Sequence, residues 1–222
     1  MTSLARATLL KAEFFNRDPR RVARALLGKL LVRETADHLL IGRIVETEAY
    51  LGENDGAAHS AAGKTARNAV LFGPPGYAYV YFIYGVHYCL NVSCLPDGVA
   101  GGVLFRALEP IDGIEEMAEA RGMEVPKRKD LASFSFLKRL SSGPGRLAEA
   151  LHVTRARDNG KSLVSPRSDL RLADDGYRPR RIATTARIGI VRSADLPLRY
   201  LVADSPFVSG RPAPLTRRSS VA

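Results

Sequence analysis

Hydrophobic residues recur along the chain in two spacings, which together predict a mixture of helices and strands. Val22, Ala25 and Leu26 fit one face of a helix, and Asp18-Pro19 before them is a typical helix start. Elsewhere, runs of aromatic and β-branched residues alternate with polar ones, as in half-buried strands. The pattern predicts a helix over 18–28, strands over 29–33, 39–49 and 102–108, a hairpin over 76–91, helices over 111–121 and 141–151, and short strands beyond.

The predicted hairpin over 76–91 is the most distinctive segment, with five tyrosines and a phenylalanine. Its turn is expected near Tyr84-Gly85, because a single glycine separates two strand-like runs. A buried tyrosine needs a partner for its hydroxyl, so five of them, with His87 beside the turn, are difficult to bury together. Exposed flat rings are suited to stacking on nucleic-acid bases, which is the use we expect here.

The composition is that of an ordinary globular protein, with 45% hydrophobic and 25% charged residues in a chain of 222. Neither an internal repeat nor a linker marks a domain boundary. We therefore expect one mixed domain of helices and strands over 1–210, followed by a disordered polar tail over 211–222. The irregular segment over 52–68 is long for a loop inside a compact domain, and such loops are usually functional or disordered.

Charge and cysteine usage indicate the partner and the compartment. The net charge is +10, from 33 basic and 23 acidic residues, which together with exposed aromatic rings favours a polyanionic partner. There is no signal peptide and no apolar run near eighteen residues, so we expect a soluble intracellular protein. Cys89 and Cys94 are five residues apart and should point to opposite strand faces, so we expect two buried free thiols.

Two strands carry candidate chemistry. Glu46 and Glu48 are two residues apart on the strand over 39–49, so both should project from the same face, with Tyr50 beyond them. An exposed polar face is an equally good explanation of this spacing taken alone. Arg106 lies inside an otherwise apolar strand and needs an anionic partner if it is buried, a role that Glu48 could fill. His59, in the long loop, is ambiguous by itself.

Taken together, the motifs resemble one family. The chain carries Glu-Thr-Glu-Ala-Tyr at 46–50, Ala-His-Ser at 58–60, Tyr-Val-Tyr-Phe-Ile-Tyr-Gly at 79–85, Asn91, Arg-Ala-Leu-Glu-Pro at 106–110, Ser-Gly-Pro at 142–144, Ala-Arg-Ile-Gly at 186–189 and Ser-Pro-Phe-Val at 205–208. In this order they resemble the alkyladenine (3-methyladenine, methylpurine) DNA glycosylases, from about residue 13 to residue 207. The resemblance implies an α+β fold: a single mixed domain with a curved, mainly antiparallel sheet, flanking helices and a protruding hairpin that inserts into DNA.

The activity that the resemblance implies is excision of a damaged base. A purine in duplex DNA is rotated out into a pocket, and its N-glycosidic bond is hydrolysed. The implied lesions are 3-methyladenine, 7-methylguanine, hypoxanthine and ethenoadenine. No lysine stands at the matched catalytic position, so a monofunctional enzyme without lyase activity is expected, with no metal or other cofactor. Its partner would be damaged double-stranded DNA, bound by a monomer in the cytoplasm, on the nucleoid.

The same resemblance assigns roles to single residues. Glu48 matches the general base that activates a water, and Arg106 and the backbone carbonyl of Ile188 match positions that hold this water. Tyr84 matches the side chain that wedges into the minor groove.

Further matched positions surround the extruded base and the DNA backbone. Tyr50 would stack on one side of the base and His59 with Tyr81 on the other, while Asn91 would obstruct the exocyclic amine of guanine. Val86 and His87 stand where vertebrate relatives carry Met and Tyr. The expected contacts to the groove or phosphates are Val86, His87, Lys64, Thr65, Arg67, and the amides of Gly143 and Gly145.

Two alternatives remain open on the sequence. In the first, the chain binds damaged or distorted nucleic acid without catalysis, and Glu48 is only the ion-pair partner of Arg106. In the second, Glu46, Glu48 and His59 form the site of a metal hydrolase, although these are only three scattered ligands without a His-x-x-x-His spacing.

Overall fold

The computed structural model describes residues 7–127 and 130–210. Within them, nine strands form one sheet and six α-helices flank it. The strands are β1 (Thr8–Leu9), β2 (Leu30–Glu34), β3 (Leu39–Tyr50), β4 (Ala78–Ile83), β5 (His87–Ser93), β6 (Gly102–Asp112), β7 (Leu170–Asp174), β8 (Ile182–Thr185) and β9 (Arg199–Val202). The helices are α1 (Ala12–Phe15), α2 (Pro19–Leu26), α3 (Ile114–Ala120), α4 (Phe134–Ser141), α5 (Pro144–Ala150) and α6 (Arg155–Asp158).

The long strand β3 organises the sheet. On one side, its first residues pair with β2 and its later residues pair with β9, and β6 runs along its other side. The strand order is β1-β7-β2-β3-β6-β5-β4, with β8 attached to β9, and every pairing is antiparallel. This curled antiparallel sheet with flanking helices confirms the predicted single α+β domain.

One face of the sheet is covered by the main hydrophobic core. On β3, Val45 and Ala49 belong to this core, and the Thr47 hydroxyl donates to the carbonyl of Ala23 in α2, 3.0 Å away. Side chains alternate along a strand, so Glu48 lies on the opposite face. The neighbouring strands add apolar side chains to the same core: Ala78, Val80, Leu90, Val92, Val103 and Phe105.

The first predicted helix is confirmed as α2. The Asp18 side chain accepts a hydrogen bond from the backbone N–H of Arg20 at 2.8 Å, and Pro19 occupies the first helical position. A carboxylate N-cap and a proline at this position both favour helix initiation, which is why the local sequence was sufficient to locate this element.

Two other predicted helices begin later than the sequence indicates. The helix expected from 111 starts at Ile114, because β6 continues to Asp112 in pairing with the start of β3. Gly113 then ends the strand with φ of +72°, and a Cβ at this position would lie 2.7 Å from the Leu39 carbonyl oxygen. Likewise, the helix expected over 141–151 is α5 from Pro144, because Ser141 is the last residue of α4.

The hairpin of β4 and β5 turns where the sequence predicted. Ile83 pairs with His87, and the N–H of Val86 donates to the Ile83 carbonyl at 3.3 Å. Tyr84 and Gly85 both have positive φ, +53° and +69°. Positive φ at two successive residues is typical of a type I′ turn, and here three residues, 84–86, connect the paired Ile83 and His87. A tyrosine is uncommon in this conformation.

The long loop over 52–68 has a defined path. The Asn68 side chain donates to the carbonyls of His59 and Gly63 at 2.9 and 3.0 Å and accepts from the Thr65 amide at 2.7 Å. Asp55 accepts from the amide of Leu51 at 3.1 Å. These bonds hold the loop, and with it His59, beside the sheet.

The remaining expectations concern the thiols and the ends of the chain. Cys89 and Cys94 are buried and free, as predicted. The tail over 211–222 lies outside the described residues, so its disorder stays a prediction. Across 7–127 and 130–210, the helices are too short or too polar to span a bilayer.

Candidate active site

A row of paired residues crosses four strands on the face opposite the main core. Glu48 on β3 pairs with Leu104 on β6, Leu104 with Asn91 on β5, and Asn91 with Tyr79 on β4. Directly opposed residues in antiparallel strands project from the same face. The register thus brings Glu48 and Asn91, which are far apart in sequence, onto one surface with the hairpin tyrosines.

Glu48 is fully buried and is held by three donors. Its Oε1 accepts from the backbone N–H of Ile188 at 2.8 Å and lies 3.2 Å from Arg106 Nη1, and its Oε2 accepts from the Tyr50 hydroxyl at 3.0 Å. The structure therefore brings these four predicted residues together. It is the Ile188 amide that contacts Glu48, and the water-holding role of the Ile188 carbonyl stays a prediction.

The Tyr50 hydroxyl acts as a donor. Burial is the main cause that raises the pKa of Tyr50 far above its usual value, and the charge of Glu48 raises this pKa further. The phenol therefore stays protonated. A protonated phenol donates to Glu48, and this bond fixes the position of the Tyr50 ring.

Arg106 reaches Glu48 because the β3–β6 ladder is irregular. Ile44 pairs with Leu108, Glu46 with Ala107 and Thr47 with Phe105. Val45 and Arg106 therefore have no partner in the β3–β6 register. A bulge redirects the side chain of the unpaired residue and is common beside active sites. Here it places the Arg106 guanidinium between two carboxylates.

The second carboxylate, Glu46, is buried within a network of arginines. Its Oε1 lies 2.9 Å from Arg106 Nε and 2.6 Å from Arg199 Nε, and it accepts from the Ser209 hydroxyl at 2.9 Å. Its Oε2 accepts from the backbone N–H of Ser209 at 2.5 Å. Burial lowers the pKa of Arg106, but the charges of Glu48 and Glu46 outweigh this and raise it. The guanidinium therefore stays charged.

Arg199 and Ser209 were not predicted from the sequence. A signal for Arg199 was present, because it begins the otherwise apolar strand β9 and needs a buried anion by the same argument as Arg106. Ser209 carried no such signal.

A buried ion pair behind Tyr50 was also missed. Arg187 Nη1 and Nη2 donate to the two carboxylate oxygens of Asp55 at 2.5 and 2.8 Å, and both side chains are fully buried. The Arg187 guanidinium lies 4.6 Å from the centroid of the Tyr50 ring. It covers one face of this ring, so a base that stacks on Tyr50 would have to use the opposite face. Arg187 stands in the Ala-Arg-Ile-Gly motif, which was the available signal.

The hairpin rings form a second cluster. His59 Nδ1 lies 2.9 Å from the Tyr79 hydroxyl, and the His59 and Tyr81 rings are 4.4 Å apart at an angle of 74°. Since the two rings are nearly perpendicular, a flat base that lies face to face on one of them would meet the edge of the other. Burial and the charge of Arg67 lower the pKa of His59, which favours its neutral form.

The residues weighed as a metal site are arranged differently. Glu46 is engaged by two arginines, and His59 by Tyr79. Within the part of the chain that the structure describes, no three His, Cys, Asp or Glu side chains are placed to hold a metal ion. The geometry therefore gives no support to a metal hydrolase.

Comparison with known proteins decides the family. Residues 13–206 match the family model described as methylpurine-DNA glycosylase. The chain belongs to this family. It is accordingly a DNA glycosylase, a hydrolase of N-glycosyl bonds that acts on DNA in the repair of alkylation damage.

Several bacterial relatives are similar over almost their whole length. A protein of Koribacter versatilis (strain Ellin345) is 66% identical over 210 residues, which are 95% of this chain and 97% of the relative. Proteins of Burkholderia cenocepacia (strain HI2424) and Chlorobaculum tepidum are 46% and 45% identical, over 91% and 90% of this chain and 92% and 90% of their own lengths. The names of all three assign them provisionally as 3-methyladenine DNA glycosylases.

The hairpin of this glycosylase ends in exposed apolar side chains. Tyr84 is 82% exposed at the turn, and Val86 and Phe82 beside it are 64% and 46% exposed. Side chains of this kind on a protruding turn can enter a DNA groove without rearrangement of the fold.

Some predicted phosphate contacts remain available and others do not. Lys64, Thr65 and Arg67 are exposed on the long loop. The Gly143 amide donates to the Arg106 carbonyl at 2.9 Å, so it is not free to bind a phosphate. This part of the prediction is wrong, because the segment before α5 pairs with β6.

The corner between α5 and β5 is filled by protein contacts. A Cβ on Gly145 would lie 3.0 Å from the His87 ring, so the glycine is needed for this close packing. His87 Nδ1 lies 3.3 Å from Glu149 Oε1. A carboxylate here disfavours an approaching phosphate, and the predicted DNA contacts of His87 and Gly145 gain no support.

Proposed function

We propose that this family member is a monofunctional glycosylase that flips alkylated or deaminated purines out of duplex DNA and hydrolyses their N-glycosidic bond. The lesions are of the 3-methyladenine, 7-methylguanine, hypoxanthine and ethenoadenine class. The buried Glu48, held by three donors on the same face as the hairpin rings, carries the proposal. We further propose a monomer that works in the cytoplasm, on the nucleoid.

The extruded base would lie between aromatic side chains. Tyr50 presents the ring face that Arg187 does not cover, and either Tyr81 or His59 presents the facing ring. Extrusion costs on the order of a few kcal/mol, least for a damaged base whose pairing is already weakened. Stacking in the pocket offsets part of this cost and favours electron-poor purines. Asn91, whose amide donates to the Tyr79 carbonyl at 3.1 Å, would exclude the guanine amine.

Glu48 is suited to be the general base. An ionised carboxylate has about four acceptor sites, and three are already engaged, which leaves one for a water. As the water oxygen attacks C1′ of the sugar, its proton passes to Glu48 and the bonding electrons leave with the base. The carboxylate also stabilises the positive charge that develops on the sugar. No lysine stands at the position matched to a catalytic amine, so we propose hydrolysis without a lyase step.

Single-turnover base release tests the proposal. Four duplex oligonucleotides, each with one of the four lesions, are incubated with excess enzyme in chelator, and free base and abasic sites are measured. We expect release of at least the methylated purines, without strand cleavage. Tight binding of damaged duplex with no release of any base would favour the non-catalytic binder instead.

We expect Tyr84→Ser to weaken binding of lesion-containing duplex by about 1–3 kcal/mol, because the wedge that stabilises the flipped state is lost. The fold should be unaffected, since this side chain is 82% exposed. Titration of fluorescent lesion duplex measures the effect. Tyr177→Ser, at an exposed tyrosine outside the hairpin, is the matched control, and equal affinities of Tyr84→Ser and wild type would refute the wedge.

We expect duplex binding to weaken steeply with salt, because each neutralised phosphate contributes about −0.9 to the slope of log K against log salt. Lys64→Gln should reduce the magnitude of this slope by about 0.9, the value for one phosphate contact. The preference for damaged over undamaged duplex should stay unchanged. Binding constants measured between low and physiological salt test both statements. A flat dependence would contradict the phosphate contacts.

A further inference from the structure

We propose that Glu46 is a positioning residue for base excision: it holds the Arg106 guanidinium beside Glu48 and balances the charge of the site. The inference rests on the proposed role of Glu48 as general base. Glu46 would act through Arg106, without contact to the DNA or to the attacking water.

The two carboxylates of β3 have different partners. Three donors converge on Glu46 Oε1, namely Arg106 Nε, Arg199 Nε and the Ser209 hydroxyl, and the Ser209 N–H reaches Oε2. Glu48 is contacted by Arg106, by the Ile188 N–H and by the Tyr50 hydroxyl. Glu46 is thus the carboxylate that joins the two arginines, which is a different task from that of a general base.

Glu46 determines how Arg106 is oriented. A guanidinium is planar and presents its donors in a rigid fork, so fixing one N–H fixes the others. Arg106 Nε donates to Glu46 at 2.9 Å while its Nη1 lies 3.2 Å from Glu48. Because Arg106 occupies a bulge, the regular strand pairing does not determine its direction. The Nε contact to Glu46 supplies this constraint, together with the 3.3 Å bond from Nη2 to the Ser209 hydroxyl, which itself donates to Glu46.

Glu46 also completes a neutral cluster. Two carboxylates, Glu46 and Glu48, face two guanidiniums, Arg106 and Arg199, so the formal charges cancel. Removing one carboxylate leaves a net positive charge close to the sugar. Such a charge disfavours the oxocarbenium-like transition state and favours the ionised form of the general base. Other charged or titratable groups also act on Glu48: Tyr50 on β3, Cys89 on β5, and Arg187 beside Ile188.

A purely structural role for Glu46 is the competing explanation. Ser209 donates to Glu46, and the Ser209 carbonyl accepts from Arg199 Nη2 at 2.9 Å, so the network also ties down the segment after β9. Loss of this anchor would lower stability, but it would not change how the rate depends on pH. The pH profile therefore separates the two roles.

The experiment compares Glu46→Gln with wild type in single-turnover release of hypoxanthine or 7-methylguanine from duplex, between pH 5 and pH 9. We expect the rate at neutral pH to fall about 100-fold. The acidic limb of the profile should move to lower pH, while lesion affinity changes little. Glu46→Asp, which keeps the charge, should leave the limb in place and recover part of the rate.

Two further variants keep the test decisive. Ser209→Ala loosens the anchor without a change in charge and should leave the acidic limb unmoved. Arg199→Gln changes the charge in the opposite sense and should move the acidic limb to higher pH. This variant tests the charge effect even if Glu46→Gln fails to fold. Unmoved limbs in both charge variants would overturn the proposal. Inactive wild type would instead refute the proposed function on which it rests.

Discussion

Glu48→Gln is expected to reduce single-turnover base release by about 1,000-fold or more while binding of damaged duplex persists. Glutamine keeps the shape of the side chain and can still accept from the Ile188 amide. A neutral amide, however, can neither take the proton from the attacking water nor stabilise positive charge on the sugar. Release is followed by quenched time courses, and affinity by titration of the same duplex.

Glu53→Gln is the matched control for that variant. Glu53 lies exposed in the loop after β3, and its replacement makes the same change in charge. It should release bases at the wild-type rate. Release by Glu48→Gln at a rate close to wild type would remove Glu48 from the role of general base and leave it as the ion-pair partner of Arg106.

Asp55→Asn is expected to lower the free energy of unfolding by about 3–5 kcal/mol, because it leaves the fully buried Arg187 without its anion. Activity should fall as well, since Arg187 supports the Tyr50 ring and immediately precedes Ile188, whose amide holds Glu48. Urea unfolding measures the loss. Asp204→Asn is the control, because it breaks an exposed pair with Arg181 and should cost about 1 kcal/mol or less.

The pH dependence of stability gives a second check on this pair. Burial alone would raise the pKa of Asp55, but hydrogen bonds from Arg187 and from the amides of Leu51 and Ala57 outweigh it and hold the pKa below its usual 3.8. A lowered folded pKa means that the contribution is complete above 3.8 and is lost as the pH falls through the lowered value. Asp55→Asn should remove this loss from the unfolding curve. An unchanged acid dependence would contradict the assignment.

Several local features were predictable because they depend on neighbours in sequence. The start of α2 follows from the Asp18 side chain and the proline after it. The hairpin turn follows from one glycine between two strand-forming runs. Glu46 and Glu48 share a face because side chains on a strand alternate, and this spacing brought both of them to Arg106.

Other features depend on which strands pair. The apolar and acidic pattern after 110 indicates a helix, but pairing with β3 keeps this stretch in a strand as far as Asp112. Gly143 and Gly145 suggest a phosphate-binding helix start, yet one amide is taken by Arg106 and the other glycine accommodates His87. In each case a contact between distant segments outweighs a weak local preference.

By itself, the sequence determined the family, the strand that carries Glu48 and the position of the exposed hairpin, because these reside in local motifs and in their order. The tertiary structure decided how Arg106 is aimed, since its direction depends on two offset irregularities in the β3–β6 register. It also decided that Arg187 pairs with Asp55, and that Arg199 and Ser209 close the network around Glu46. An arginine among apolar residues indicates in the sequence that a buried anion is needed as its partner. Which carboxylate supplies that anion is determined only when the chain folds.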